Sequence, residues 1–174
     1  MRILISALLG AILMLGVSCE KSTTNPNEAT DRKFVSMKLD NRIYLAEKPQ
    51  ATIYTPNLVD EDPNNDYLTM EILATTYSGD NISFKLATDQ PTFVPGVYYT
   101  NTTGNSMTMY LLSQSGSTLV TDPTSSGFTI TISRINSLYV EGTFSGTLND
   151  ATGGTGTRTV RDGSFRSLVR WVQK

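Results

Sequence analysis

Histidine is absent from this chain, and cysteine occurs once, at position 19. The first absence removes histidine-dependent triads, imidazole acid–base chemistry and most zinc sites, because each needs a side chain that ligates or exchanges a proton near neutral pH. The second removes any internal disulfide. Basic residues are neither numerous nor clustered: 14 Lys and Arg stand against 16 Asp and Glu, with both signs dispersed. Without a basic stripe to follow a phosphate backbone, nucleic-acid binding finds no support. Two carboxyls set across a cleft would be the remaining route to hydrolysis, and no pairing of that kind can be read from spacing. The composition points away from an enzyme and calls for no cofactor.

What is present begins with a leader. Arg2 supplies a positive start, and Ile3 to Leu15 an apolar run relieved by Ser6, Gly10 and small alanines. The run is shorter than the ~20 apolar residues of a bilayer-spanning helix. Gly16-Val17-Ser18 then places small residues just before Cys19, as a secretory cleavage site requires. This segment resembles a bacterial lipobox, although the usual form has Leu three residues before the cysteine and here Gly16 stands there, with Leu15 one place earlier. The resemblance implies removal of residues 1–18, lipidation of Cys19, and an outer-membrane protein held to the membrane by its N-terminal acyl chains, on either face. Capping the thiol also suits an oxidising compartment, where a lone exposed cysteine is a liability. Two or more acyl chains, at about 0.8 kcal/mol per buried CH2, anchor firmly where one would not. Residues 19–32 continue as a polar tether without aromatic or branched aliphatic side chains, with a mean reach of about 20 Å if flexible.

From residue 33 to 174 the pattern is period two. Leu68, Met70 and Ile72 alternate with Thr69 and Glu71; Ile82, Phe84 and Leu86 with Ser83, Lys85 and Ala87; Phe128, Ile130 and Ile132 with Thr129, Thr131 and Ser133. Leu138, Val140 and Phe144 share a face opposite Tyr139, Glu141, Thr143 and Ser145. Alternation of this kind marks strands with one buried and one wet face. Weaker strands are expected at 34–39, 42–46, 51–54, 97–100, 106–112, 157–161 and 168–172. Asp40-Asn41 and Asp162-Gly163 read as tight turns, and Pro91, Pro95 and Pro123 fall between runs. The expectation is a single all-β domain, an antiparallel β-sandwich, with a closed or partly closed β-barrel as the alternative.

Several phrases resemble small Bacteroidota-type lipoproteins of a β-rich domain family with no assigned function. Val140-Glu141-Gly142-Thr143-Phe144-Ser145 is similar to their G-T-F-S strand, and Thr159-Val160-Arg161-Asp162-Gly163-Ser164-Phe165 to the T-n-G-x-F hairpin that follows it. Gly127 to Ile132 and Pro95 to Tyr99 match weaker steps of the same pattern. The early turn departs from it, since Leu39-Asp40-Asn41-Arg42-Ile43-Tyr44 has neither the usual Gly nor the Trp. The resemblance implies an envelope β-domain acting as a noncatalytic binding or accessory module, and carries over no catalytic residue.

Three local patterns merit weighing as sites. Asp60, Asp62, Asn64, Asp66 and Glu71 have the oxygen-donor spacing of a calcium loop, but Asn65 replaces the turn glycine, Pro63 stiffens the segment, and strand-like runs flank it. A solvated acidic loop is the plainer reading. Gly153-Gly154-Thr155-Gly156-Thr157 lacks the Lys and helix of a phosphate cradle and reads as a hairpin connection. Most of the 8 tyrosines and the single Trp sit in strand patterns; Tyr98-Tyr99 stands out, because neighbouring strand residues point to opposite faces and one ring should be exposed. An inward set of Met70, Met107 and Met109 would suit a lipocalin-like carrier of a small apolar ligand, and would equally suit an ordinary core.

Overall fold

Each period-two run becomes a strand in the computed structural model, which describes residues 32–59, 66–114, 116–152 and 156–173. In chain order the strands are β1 (Phe34–Leu39), β2 (Arg42–Glu47), β3 (Gln50–Thr55), β4 (Leu68–Thr75), β5 (Asn81–Thr88), β6 (Gly96–Tyr99), β7 (Ser106–Leu111), β8 (Ser117–Val120), β9 (Phe128–Ile135), β10 (Tyr139–Asp150) and β11 (Thr157–Gln173). A single turn of 3-10 helix, Leu112–Gln114, is the only helical element among the described residues. Residues Arg32–Lys174 form one compact unit.

The strands run in the order β2-β1-β11-β3-β4-β5-β7-β8-β10-β9-β6, and a further pairing joins β10 to β11. That pairing closes a hydrogen-bonded circuit through β11, β3, β4, β5, β7, β8 and β10. All neighbours are antiparallel except β3 and β11, which run parallel. The two longest strands make the closure possible, because each changes neighbour along its length. β10 bonds β9 from Val140 to Gly146 and then β8 at Asn149 and Asp150. β11 bonds β1 from Val160 to Arg166 and then β3 from Leu168 onward. Strands that pass from one layer to the other in this way turn the corners of a sandwich. The fold is all-β, as the alternation predicts, with sandwich layers joined into a partly closed ring.

Two turn expectations fare differently. Asp40, at a φ of 53°, makes the β1–β2 turn. Asp162-Gly163 is not a turn: it lies inside β11, where two residues of β11 oppose one of β1 and the register slips. Asp162 takes the positive φ, 52°, that a hairpin would have needed, and uses it for a β-bulge. The runs on both sides of the bulge pair with β1 and β10, so the two predicted C-terminal strands are one. Leu138, expected on the buried face, lies just before β10 and is 68% exposed. β8 was not predicted, because Ser117-Thr118-Leu119-Val120 buries only Leu119 and offers no alternation.

The core rests on four phenylalanines. Phe84 of β5 meets Phe144 of β10 edge-on at 4.6 Å and stacks on Phe165 of β11 at 5.8 Å; Phe128 of β9 stacks on Phe144 at 6.4 Å. β5 is not hydrogen-bonded to β10 or β11, so these contacts cross the interior. The Phe144 and Phe165 rings fit because each faces a glycine: Phe165 pairs with Gly142, and Phe144 with Gly163. A Cβ at Gly142 would fall 2.8 Å from the Phe165 ring and 2.0 Å from the Thr131 carbonyl; one at Gly163 would fall 2.2 Å from the Phe144 carbonyl. Met70, Met107 and Met109 are fully buried in the same core.

Phe84→Ala is therefore expected to cost about 3–5 kcal/mol, as for other large-to-small core changes. Gly142→Ala, a smaller chemical change on the strand facing it, should cost at least about 1–3 kcal/mol through overpacking. Urea unfolding of each variant measures both, and a Gly142→Ala protein of unchanged midpoint would show that the Phe165 ring can move aside.

Candidate ligand-binding cleft

Of the residues named for calcium, only Asp66 and Glu71 are described. Asp60, Asp62 and Asn64 lie outside the described residues. Asp66 is exposed just before β4, and Glu71 lies on the outer face of β4, in register with Lys85 of β5 and Thr52 of β3. Among the described residues no three Asp, Glu, His or Cys side chains come together as a metal site. Cys19 and Gly153 to Thr155 also lie outside the described residues.

A half-open cleft of about 730 Å³ is lined by Tyr67, Thr69, Lys85, Ala87, Thr88, Asp89, Val97, Tyr98, Tyr99 and the 102–105 turn. Its floor is the outer face at the ends of β4 and β5, where Thr69 pairs with Ala87. Its wall is β6. Three consecutive β6 residues line it, and since neighbouring side chains alternate between faces, β6 must present its edge rather than a face.

The turn after β6 ties wall to floor. Thr100 donates through its amide and its hydroxyl to the Phe128 carbonyl, at 3.3 and 3.2 Å. Asn105, almost fully buried, accepts from the Ala87 amide at 2.9 Å and donates to the Tyr99 carbonyl at 3.0 Å. β7 pairs with β5 only as far as Lys85, so the Asn105 side chain serves the next stretch of β5 in place of a strand. Both ends of its amide are thereby committed to structure.

The expected split of the tyrosine pair is found. Tyr98 turns inward, packs on Phe93 at 5.9 Å and donates its hydroxyl to the Val94 carbonyl at 2.9 Å; burial pushes its phenol above the usual value. Tyr99 is 47% exposed, as is Tyr67 across the cleft. Lys85 and Asp89 supply one charge of each sign. Among the described residues Lys85 makes no ion pair, and Asp89 accepts from the neighbouring Gln90 amide at 3.0 Å. Tyr67, Lys85, Asp89 and Asn105 were not singled out from sequence. They come from different elements, and only the β4–β5 register and the 100–105 turn bring them beside Tyr99.

The most buried carboxylate lies elsewhere. Asp80, fully buried in the Thr76–Asp80 turn, accepts from the Ser78 hydroxyl, and from the Ser113 amide at 2.9 Å and hydroxyl at 3.0 Å. It fastens the β4–β5 turn to the 3-10 turn, with three of a carboxylate's roughly four acceptor sites engaged in doing so.

No protein-family model, no curated protein and no solved structure gives a significant match to this chain.

Asp80 generates a pH dependence. Burial raises its carboxyl pKa, but the donors on Ser78 and Ser113, aided by the Arg42 charge, outweigh burial and hold it below the ordinary value. A folded-state pKa below the unfolded one, about 3.9, gives stability that is complete above that value and lost as pH falls through the folded pKa. Asp80→Asn should unfold about 2 kcal/mol more easily at pH 7, and its stability should fall less steeply than wild type below about pH 4. Urea titrations at neutral and acid pH compare the two; equal acid slopes would assign the transition to other carboxylates.

Proposed function

We propose that this chain is a lipid-anchored lipoprotein of the outer membrane whose β-domain is a noncatalytic binding module, with the cleft beside Tyr99 as its ligand site. The cleft carries the reading. Its volume, about 730 Å³, is in the range of small-ligand pockets. Two half-exposed tyrosine rings offer amphipathic stacking surfaces. The threonines of the 102–105 turn and of β5 supply hydroxyls, and Lys85 makes no ion pair among the described residues.

The lining favours holding over transforming. Asp89 is the only carboxylate among the described residues that line the cleft, whereas carboxylate-dependent hydrolysis needs two facing across it. With no histidine or second cysteine in the chain, the usual nucleophile–base pairs are lacking. The interior is a less favourable place for a ligand, because Phe84 bridges both layers there. The anchor follows from Cys19 at the end of the apolar leader, and membrane attachment through acyl chains leaves the β-domain free to present its cleft.

Two measurements test the reading. Labelled fatty acid should enter the wild-type protein and fail to enter Cys19→Ser, which should also leave the membrane fraction; equal labelling of both would remove the anchor. Whatever ligand a binding screen of the lipidated protein returns, Tyr99→Ala should weaken it about tenfold or more, a loss of about 1.4 kcal/mol. Because the ring is half exposed, the unfolding midpoint should stay within about 0.5 kcal/mol of wild type. Unchanged affinity in Tyr99→Ala would place the ligand elsewhere.

A further inference from the structure

We infer that the occupant of this cleft is an extended peptide segment, added to the free edge of β6 as one more strand; this rests on the reading that the cleft is the ligand site. The argument starts from the ladder. Among the described residues β6 pairs only with β9, and it ends the strand order. Hydrogen-bonded pairs alternate along antiparallel strands. Thr100 bonds Phe128, so in the same register Tyr98 bonds Ile130 and Gly96 bonds Ile132. The far side of β9 agrees: Thr147 bonds the Gly127 carbonyl, which places Thr129 and Thr131 in bonded pairs with β10. Val97 and Tyr99 thus turn their backbone groups to the free edge, into the cleft.

Of those groups, the Tyr99 carbonyl is already taken by the Thr102 amide, at 3.1 Å, and by Asn105. Among the described residues nothing takes the Val97 N–H, the Val97 carbonyl or the Tyr99 N–H. A donor and an acceptor on one residue, followed two residues on by a second donor, is the pattern of an edge waiting for a strand. Pro95, which has no N–H, bounds it on one side and the 100–105 turn on the other. The segment admitted is therefore short, one reciprocal pair plus one acceptor.

The opposite end of the strand order shows how this fold closes an edge. β2 carries Arg42 and Glu47, and its outer side is bridged at Ala46 by Thr76. Charge and coverage are the ordinary protections against strand addition. β6, Gly-Val-Tyr-Tyr, has no charged residue and opens onto a cleft. Lys85 and Asp89 nearly cancel, so the guest needs no net charge. The half-exposed rings of Tyr67 and Tyr99 suit an apolar or aromatic side chain on it.

The test uses the lipidated protein in detergent, screened against short random-sequence peptides and, separately, neutral oligosaccharides. Peptide binders are expected, with affinity lost when single peptide nitrogens are methylated at alternate positions and kept at the positions between. Val97→Pro, which removes the edge N–H, should weaken them about tenfold, and Val97→Thr should not. The methylation scan needs no variant, so it stands even if Val97→Pro unfolds the domain. Oligosaccharide binding that Tyr99→Ala weakens and Val97→Pro spares would overturn the peptide assignment and leave the cleft standing. Peptide binding without alternation would overturn strand addition, and binding untouched by either variant would remove both readings. A screen that returns no binder overturns the inference as well.

Discussion

The reciprocal placement of phenylalanine over glycine between β10 and β11 is the constraint from which the rest follows. Two large rings on adjacent strands would ordinarily compete for the same interior space. Here each lies over a residue without a Cβ, and the backbones approach closely enough for Gly142 to sit against the Thr131 carbonyl. The rings therefore settle low on their own layer and leave room for Phe84 to arrive from the other. One contact set thus decides strand register, layer spacing and the partner across the core. The bulge at Asp162 lies beside this arrangement, where β11 slips in register against both β1 and β10.

The polar ties lie at turns, where the layers would otherwise separate. Asp40 accepts from the Thr159 amide at 3.0 Å, which together with Arg158 holds its carboxyl below the usual value. Arg158 also donates to Gln114 at 3.2 Å, and Gln114 to the Tyr44 hydroxyl at 2.9 Å. This chain links the β1–β2 turn, β11 and the 3-10 turn. Asp80 fastens the other side of that 3-10 turn. Buried or half-buried donors and acceptors paired in this way cost little in desolvation and specify which turns meet. They are structural uses of charge, and they account for the lowered pKa values of Asp40 and Asp80.

Much of the fold was legible in the sequence because its main signal is local. Alternation at Leu68–Ile72 or Phe128–Ile132 reports burial residue by residue, and a strand forms wherever it holds. The failures arise where the deciding partner is distant. Asp162-Gly163 has the residues of a turn, and only the neighbours on both sides show that the chain runs straight on. Leu138 fits the face of Val140, but the strand starts one residue later. Ser117–Val120 has too little pattern to read alone, and is a strand because β7 and β10 hold it. The phrases that resemble lipoprotein motifs contain Gly142, Phe144, Gly163 and Phe165, so they spell the core pairing and say nothing of a ligand.

The cleft was the least legible part, for a reason specific to its chemistry. Of its residues only the Tyr98–Tyr99 step was visible, through the rule that neighbours face opposite ways. The groups on which strand addition depends belong to the backbone of Val97 and Tyr99, and every residue but proline carries them. What distinguishes these three is that no described neighbour takes them, a property of topology and not of side-chain type. β6 is left at an edge because the circuit closes through β10 and β8, so that β9 and β6 hang outside it. The same closure that completes the core thus exposes one short edge, and the Asn105 bridge keeps that edge at a fixed distance from β5. A binding surface of this kind is created by where the ring closes, and a sequence reading that cannot place the closure cannot find it.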